Sequence, residues 1–200
     1  MMKIYDITQE LFSCVVYPGD PAPKREVLCS IPNGSLYNLT AFSMCAHNGT
    51  HIDAPYHFLH DGKTVEQLSL EKMVGCAYVV EHAGLVTAED ARCMLKVAKE
   101  QGSEEAAKRI LIKGEIEMTD EAAETFASAG ISLIGCESQS IGPSHAPMAV
   151  HKILLAAEIV PLEGIRLQAV PCGVYFLSAA PITLAGADGA PCRAILIEMP

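Results

Sequence analysis

Residues 47–57 read HNGTHIDAPYH, three histidines and one aspartate in eleven positions, interrupted by Gly49 and Pro55. Glycine and proline both break helices, so His47, His51, Asp53 and His57 cannot simply line one helical face. They must sit on an irregular, turning backbone, and such a backbone lets side chains converge on a point. With His60, four of the seven histidines fall within fourteen residues. SLYNLTAFSMC (35–45) reads as a strand that delivers the chain into this cluster, with Tyr37, Leu39, Ala41, Ser43 and Cys45 on one side.

Around the cluster the pattern is α/β. KIYDIT has strand-like alternation, and the Pro- and Gly-rich YPGDPAPKREV after it reads as a long loop. GCAYVVEH (75–82) is a buried strand, and Thr87 with Asp90 forms a capping-box start for the helix AEDARCMLKVAKE, ended near Gly102. RILIK (109–113) then reads as strand, DEAAETFASAG (120–130) as helix closed by Gly130, and ISLIGC (131–136) as strand. MAVHKILLAAE (148–158) reads as helix; GVYFLSA (173–179) and RAILIE (193–198) close the chain as strands. Neither a dinucleotide fingerprint nor a phosphate-binding loop is present.

At 200 residues the chain reads as one domain spanning 1–200. Half the residues are hydrophobic, and a mean hydropathy of +0.25 points to apolar surface buried between subunits. No apolar run reaches the roughly 18 to 20 residues of a membrane span. The start, MMKIYDITQELF, lacks the apolar core of a secretory signal, so the expectation is a cytoplasmic protein. Eight scattered cysteines without a C-x-x-C pair read as reduced and mostly buried. A formal charge of −10, with no Lys/Arg run, argues against nucleic acid as a partner.

Imidazole and carboxylate are ligands that Zn²⁺ and Mn²⁺ accept, and two His with one Asp is a common catalytic set. A divalent cation there would lower the pKa of its water from about 16 toward about 7. A closed structural zinc site is the competing reading; such sites are usually cysteine-rich, and only Cys45 adjoins the cluster. His60, His82 and His145 read as ordinary polar residues. By residue type alone, His151 on its helix reads as a core histidine and Glu163 as a surface acid before a turn.

HNGTHIDAPYH resembles the H-x-G-T-H-x-D-x-P-x-H signature of the cyclase-like metal-dependent hydrolase family, which includes kynurenine formamidases and isatin hydrolases. YPGDP (17–21), GCESQSIGP (135–143) and AGADGAPCRAIL (185–196) resemble three further family segments, and HKILLAAEIVPLEG supplies the family's later histidine and glutamate as His151 and Glu163. The resemblance implies that His47, His51 and Asp53 bind one metal, with Asp53 able to bridge to a second completed by His151 and Glu163. It also implies that His57 is the general acid/base. It further implies a swivelling β/β/α fold, with a small barrel-like sheet and flanking helices, in a homodimer or higher homo-oligomer.

The function implied is metal-dependent hydrolysis of a small amide, arylformamidase-like, with one or two Zn²⁺ or Mn²⁺ ions and a place in tryptophan catabolism. Tyr17, Tyr56 and Phe58 are the candidates for stacking on an aromatic substrate. A cyclic-amide or other small carbonyl hydrolase, similar to isatin hydrolase, is the alternative within enzymes. A metal-dependent binding module without turnover is the alternative outside them, and it has no need of an acid/base at His57.

Overall fold

The run RILIK is apolar at three successive positions, and the structure gives each face a partner. Ile110 and Ile112 pack with Leu95, Phe126 and Leu154, whereas Leu111 points into a second cluster with Ile52, Leu162 and Leu177. A strand covered on both faces needs no polar alternation.

The structure is a computed structural model and describes residues 2–198. After β1 (Lys3–Asp6) comes an antiparallel ribbon of β2 (Lys24–Cys29) and β3 (Leu39–Ser43), then β4 (His51–Asp53). The middle of the chain alternates: β5 (Val74–Glu81), β6 (Gly84–Val86), α1 (Ala88–Gln101), β7 (Arg109–Lys113), β8 (Ile116–Met118), α2 (Asp120–Ala129), β9 (Leu133–Cys136) and α3 (Met148–Ala156). Four strands follow: β10 (Val160–Glu163), β11 (Gly173–Ser178), β12 (Gly189–Pro191) and β13 (Ile195–Glu198). Nine strands form one sheet in the order β1-β13-β11-β5-β7-β9-β10-β4-β12. Its centre, β5-β7-β9-β10, is parallel, and both flanks are antiparallel.

The sheet curls into a half-barrel. Its inner cluster draws Ile52, Ala77, Val79, Leu111, Leu133, Leu162, Tyr175, Leu177 and Leu196 from seven strands. The three helices cover the other face. α1 buries Ala91, Met94, Leu95 and Ala98, a stripe at helical spacing, and α2 buries Ala122, Ala123 and Phe126. Thr87 and Asp90 cap α1 reciprocally, each side chain accepting from the other's backbone N–H. This is the α/β architecture that the residue pattern predicted, with the barrel-like sheet and flanking helices that the family resemblance implied. No helix among the described residues is long and apolar enough to cross a membrane.

The structure corrects three local expectations. Lys24–Val27, read as loop, lies in β2: proline ends at Pro23, and the following residues pair with β3. Strand structure within 35–45 is confined to Leu39–Ser43, because Asn38 is spent on a turn, its Oδ1 accepting from the Ile31 N–H at 2.8 Å. The cysteines are free, but only Cys136 and Cys192 are buried, while Cys93 and Cys172 are exposed and the other four are half-buried. Cys93 sits on the outer side of α1 and Cys172 in the loop before β11, places an apolar local sequence does not disclose.

Arg109, only 4% exposed, is a buried charge that ties the start of β7 to β5 and to the turn before it. Its guanidinium donates to the carbonyls of Lys72 (3.1 Å), Cys76 (3.1 Å) and Glu71, and to Oε1 of Glu105 (2.8 Å). Arg109→Leu would leave three carbonyls facing a hydrocarbon. Its expected cost is about 3 kcal/mol of unfolding free energy. Urea denaturation measures it, and a cost below about 1 kcal/mol would show that water reaches those carbonyls instead.

Candidate metal centre

Strand geometry assembles the site. His51 and Asp53 are two positions apart in β4 and share a face, while Ile52 between them turns into the core. Antiparallel pairing with β10 sets Glu163 directly opposite His51, and pairing with β12 sets Gly189, the neighbour of Asp188, opposite Asp53. Gly49, at φ 69°, makes the turn between His47 and His51. Gly189 leaves room for His47: a Cβ there would lie 2.7 Å from the imidazole Cε1. The first turn of α3 brings in His151, and the short 3-10 turn Pro55–His57 brings in His57.

Two of the imidazoles have their orientation locked by backbone. His51 Nδ1 donates to the Gly49 carbonyl (3.0 Å), and His151 Nδ1 donates to the Pro147 carbonyl (2.7 Å). In the neutral ring that leaves the Nε2 lone pair free, aimed inward. His51 Nε2 lies 3.5 Å from both Asp53 Oδ1 and Glu163 Oε2; His151 Nε2 lies 3.1 Å from Glu163 Oε1 and 3.5 Å from Asp53 Oδ2. All four residues are at most 3% exposed. Asp53 Oδ2 is buried without a hydrogen-bond partner. Lone pairs of two imidazoles and two carboxylates thus face one another in a dry space, an arrangement that positive charge at its centre satisfies. The donor set fits a divalent cation.

The ionisation pattern has the same cause. Burial disfavours charge on His47 and His151, yet neighbouring carboxylates prevail: Asp53 and Asp188 take His47 up to about 9, and Glu163 with Asp53 take His151 up to about 9. Without a cation, burial would raise Asp53 and Glu163, but hydrogen bonds from the protonated rings of His47 to Asp53 and of His151 to Glu163 hold both below the usual carboxylate range, the imidazolium charge standing where a metal's would. His57 behaves oppositely: burial pushes it below the ordinary imidazole value, outweighing the attraction of Asp53.

Every histidine and acid singled out from sequence for metal or catalysis meets here. The tightest groupings of ligand atoms are His51–Asp53–Glu163 and His47–Asp53–His57. With Asp53 buried behind them, His47, His51, His57, His151 and Glu163 line a cavity of about 470 Å³ together with Tyr17, Cys45, Phe58, Gln139 and Pro147, a size suited to one small organic molecule. Tyr17 and Phe58 are in its wall. Tyr56 is not: it is 47% exposed, because one step along the 3-10 turn rotates it away from the face that His57 presents. His60, His82 and His145 lie outside.

Asp188 is a residue of the candidate site that sequence reasoning did not single out. Its Oδ2 is 3.0 Å from His47 Nε2 and 3.2 Å from His57 Nδ1, so one carboxylate orients both rings, which stack at 4.1 Å between centroids. The signal was a lone acid in AGADGAP, within one of the segments already matched to the family.

The Cyclase family model matches residues 5–143. The chain belongs to that family. Among Cyclase relatives, the kynurenine formamidase of Sphingopyxis alaskensis is 33% identical over 215 residues, covering 100% of both chains. A solved structure described as a potential metal-dependent hydrolase with cyclase activity superposes with a TM-score of 0.82 at 29% identity over 100% of each chain. An isatin hydrolase bound to the product analogue thioisatinate matches the Cyclase fold with a TM-score of 0.82, at 18% identity over 100% of this chain and 93% of its own.

Proposed function

We propose that this protein is a metal-dependent hydrolase of small amides, of the kynurenine formamidase type. The observation that carries the reading is the convergence of His51 and His151 Nε2 on Asp53 and Glu163 around the unpartnered Oδ2 of Asp53. His47, His51, Asp53, His151 and Glu163 are the metal ligands, for Zn²⁺ or Mn²⁺ in one or two sites. Bound there, the cation supplies Lewis acidity toward water and a carbonyl oxygen.

The chain's own groups do the rest. His57, held neutral by burial, accepts the proton of the attacking water and returns it to the departing amine nitrogen. Asp188 accepts from His57 Nδ1–H and so selects the tautomer whose Nε2 is the base. Phe58 and Tyr17 offer the cavity aromatic walls for an aryl amide.

Full-length identity to a kynurenine formamidase favours a formanilide over a cyclic amide as substrate. Exposed apolar side chains along and beside the β2–β3 ribbon, among them Val27, Leu28, Leu39 and Phe42, support a homo-oligomer. Eight free cysteines accord with the reducing cytoplasm.

The test is release of formate from N-formylkynurenine by metal-quantified protein loaded separately with Zn²⁺ and Mn²⁺. Chelator-sensitive turnover is the expected result. No turnover at full metal occupancy would reject this substrate, and inertness toward cyclic and non-aromatic amides as well would reject the enzyme.

A further inference from the structure

Two glutamines outside the ligand set tie together the loops that carry it. Gln139, in the loop after β9, donates through Nε2 to the carbonyls of His47 (3.0 Å) and Gly49 (3.2 Å). Those two carbonyls belong to the turn that separates His47 from His51. Gln139 Oε1 accepts from Gln9 Nε2 (3.3 Å), and the same Gln9 nitrogen donates to the carbonyl of Gly164 (2.8 Å), the residue after Glu163. Gln9 Oε1 accepts from the Val15 N–H (3.0 Å). Thr50 closes the loop: its hydroxyl accepts from the Gln9 backbone N–H (2.9 Å) and donates to the Gly164 carbonyl (2.8 Å).

All four side-chain N–H groups of the two amides are therefore used, and every acceptor they meet is a carbonyl oxygen. Neither amide can flip without setting oxygen against oxygen. The relay has one arrangement, and that arrangement fixes the spacing between the His47–Asp53 segment and the end of β10. These are the two stretches whose side chains must agree to within a fraction of an ångström for one cation to be held.

We propose that Gln139, braced by Gln9, is a positioning residue for the metal centre, setting the separation of the His47–His51 turn from Glu163. The proposal rests on the metal-binding reading above. Neither glutamine acts on substrate in this role; both act through the ligands, as outer hydrogen-bond partners of metal sites do.

The test is the dissociation constant for Zn²⁺ and for Mn²⁺, measured by competition with a chromophoric chelator, beside thermal unfolding of the metal-free proteins. Gln139→Glu keeps the shape and sets a carboxylate against two carbonyls; Gln139→Leu keeps bulk and removes the donors; Gln9→Glu attacks the brace. The Gln139 variants are expected to bind metal roughly 10- to 100-fold more weakly, with a smaller loss for Gln9→Glu. Affinity within about twofold of wild type in both Gln139 variants overturns the proposal. So does a lower metal-free unfolding temperature at unchanged affinity, which assigns Gln139 to general stability. A wild-type chain that binds neither ion overturns the metal reading itself, a result distinct from failure of the clamp alone.

Discussion

His57→Ala is expected to keep its full complement of divalent metal and lose roughly 10²- to 10⁴-fold in kcat, the usual contribution of a placed acid/base. The Nδ1 of His57 is engaged by Asp188 at 3.2 Å, and the ring is not part of the His51–Asp53–Glu163 group. The pH profile gives a second readout. Burial lowers the pKa of His57, and a cation beside it moves it the same way, because both disfavour imidazolium. The base is therefore active at neutral pH, and the acid limb of kcat/KM should fall below about pH 6.5, the unperturbed imidazole value. In His57→Ala that limb should vanish. Metal content by elemental analysis and a pH series decide the matter together. If the variant loses metal, His57 is a ligand in the His47–Asp53–His57 grouping; if it turns over like wild type, the base lies elsewhere.

Asp53→Ala should abolish both metal retention and activity. Asp53 is 1% exposed and central to every grouping: its Oδ1 meets His47 at 2.9 Å and His51 at 3.5 Å, and its Oδ2 has only His151, at 3.5 Å. Without the carboxylate, Glu163 alone would balance a dication in a buried space, and the loss of affinity should exceed the roughly 100-fold upper cost of an outer partner. The check is metal per chain after dialysis, followed by titration with Zn²⁺. Wild-type stoichiometry in the variant would remove Asp53 from the ligand set and leave its buried carboxylate without a stated purpose.

The elements of this fold were largely legible locally. Thr87 with Asp90 marked the start of α1, Gly130 marked the end of α2, and RILIK and LIGC could be little other than covered strands. β3 was legible as a strand, though over too long a range, but its partner β2 was missed, because its residues follow a proline-rich run and are mostly exposed on both faces. Tyr56 lies between a cavity-facing wall and solvent by a single rotation step, which spacing does not resolve.

For the candidate site, the eleven residues of HNGTHIDAPYH were enough to suggest a metal and to single out His47, His51, Asp53 and His57, since Gly49 and Pro55 permit only a bent backbone on which they converge. His151 and Glu163 could be joined to them only through family resemblance. What brings them together is tertiary: β10 pairs antiparallel with β4 in the register that sets Glu163 across from His51, and α3 begins where the Pro147 carbonyl can hold the His151 ring. Asp188 and Gln139 were beyond local reading because an acid in a glycine-containing loop and an amide in another loop meet partners far away in the chain, and hydrogen bonds of that kind exist only once the sheet has assembled. The ligand chemistry was set by residue type, and its geometry by strand register.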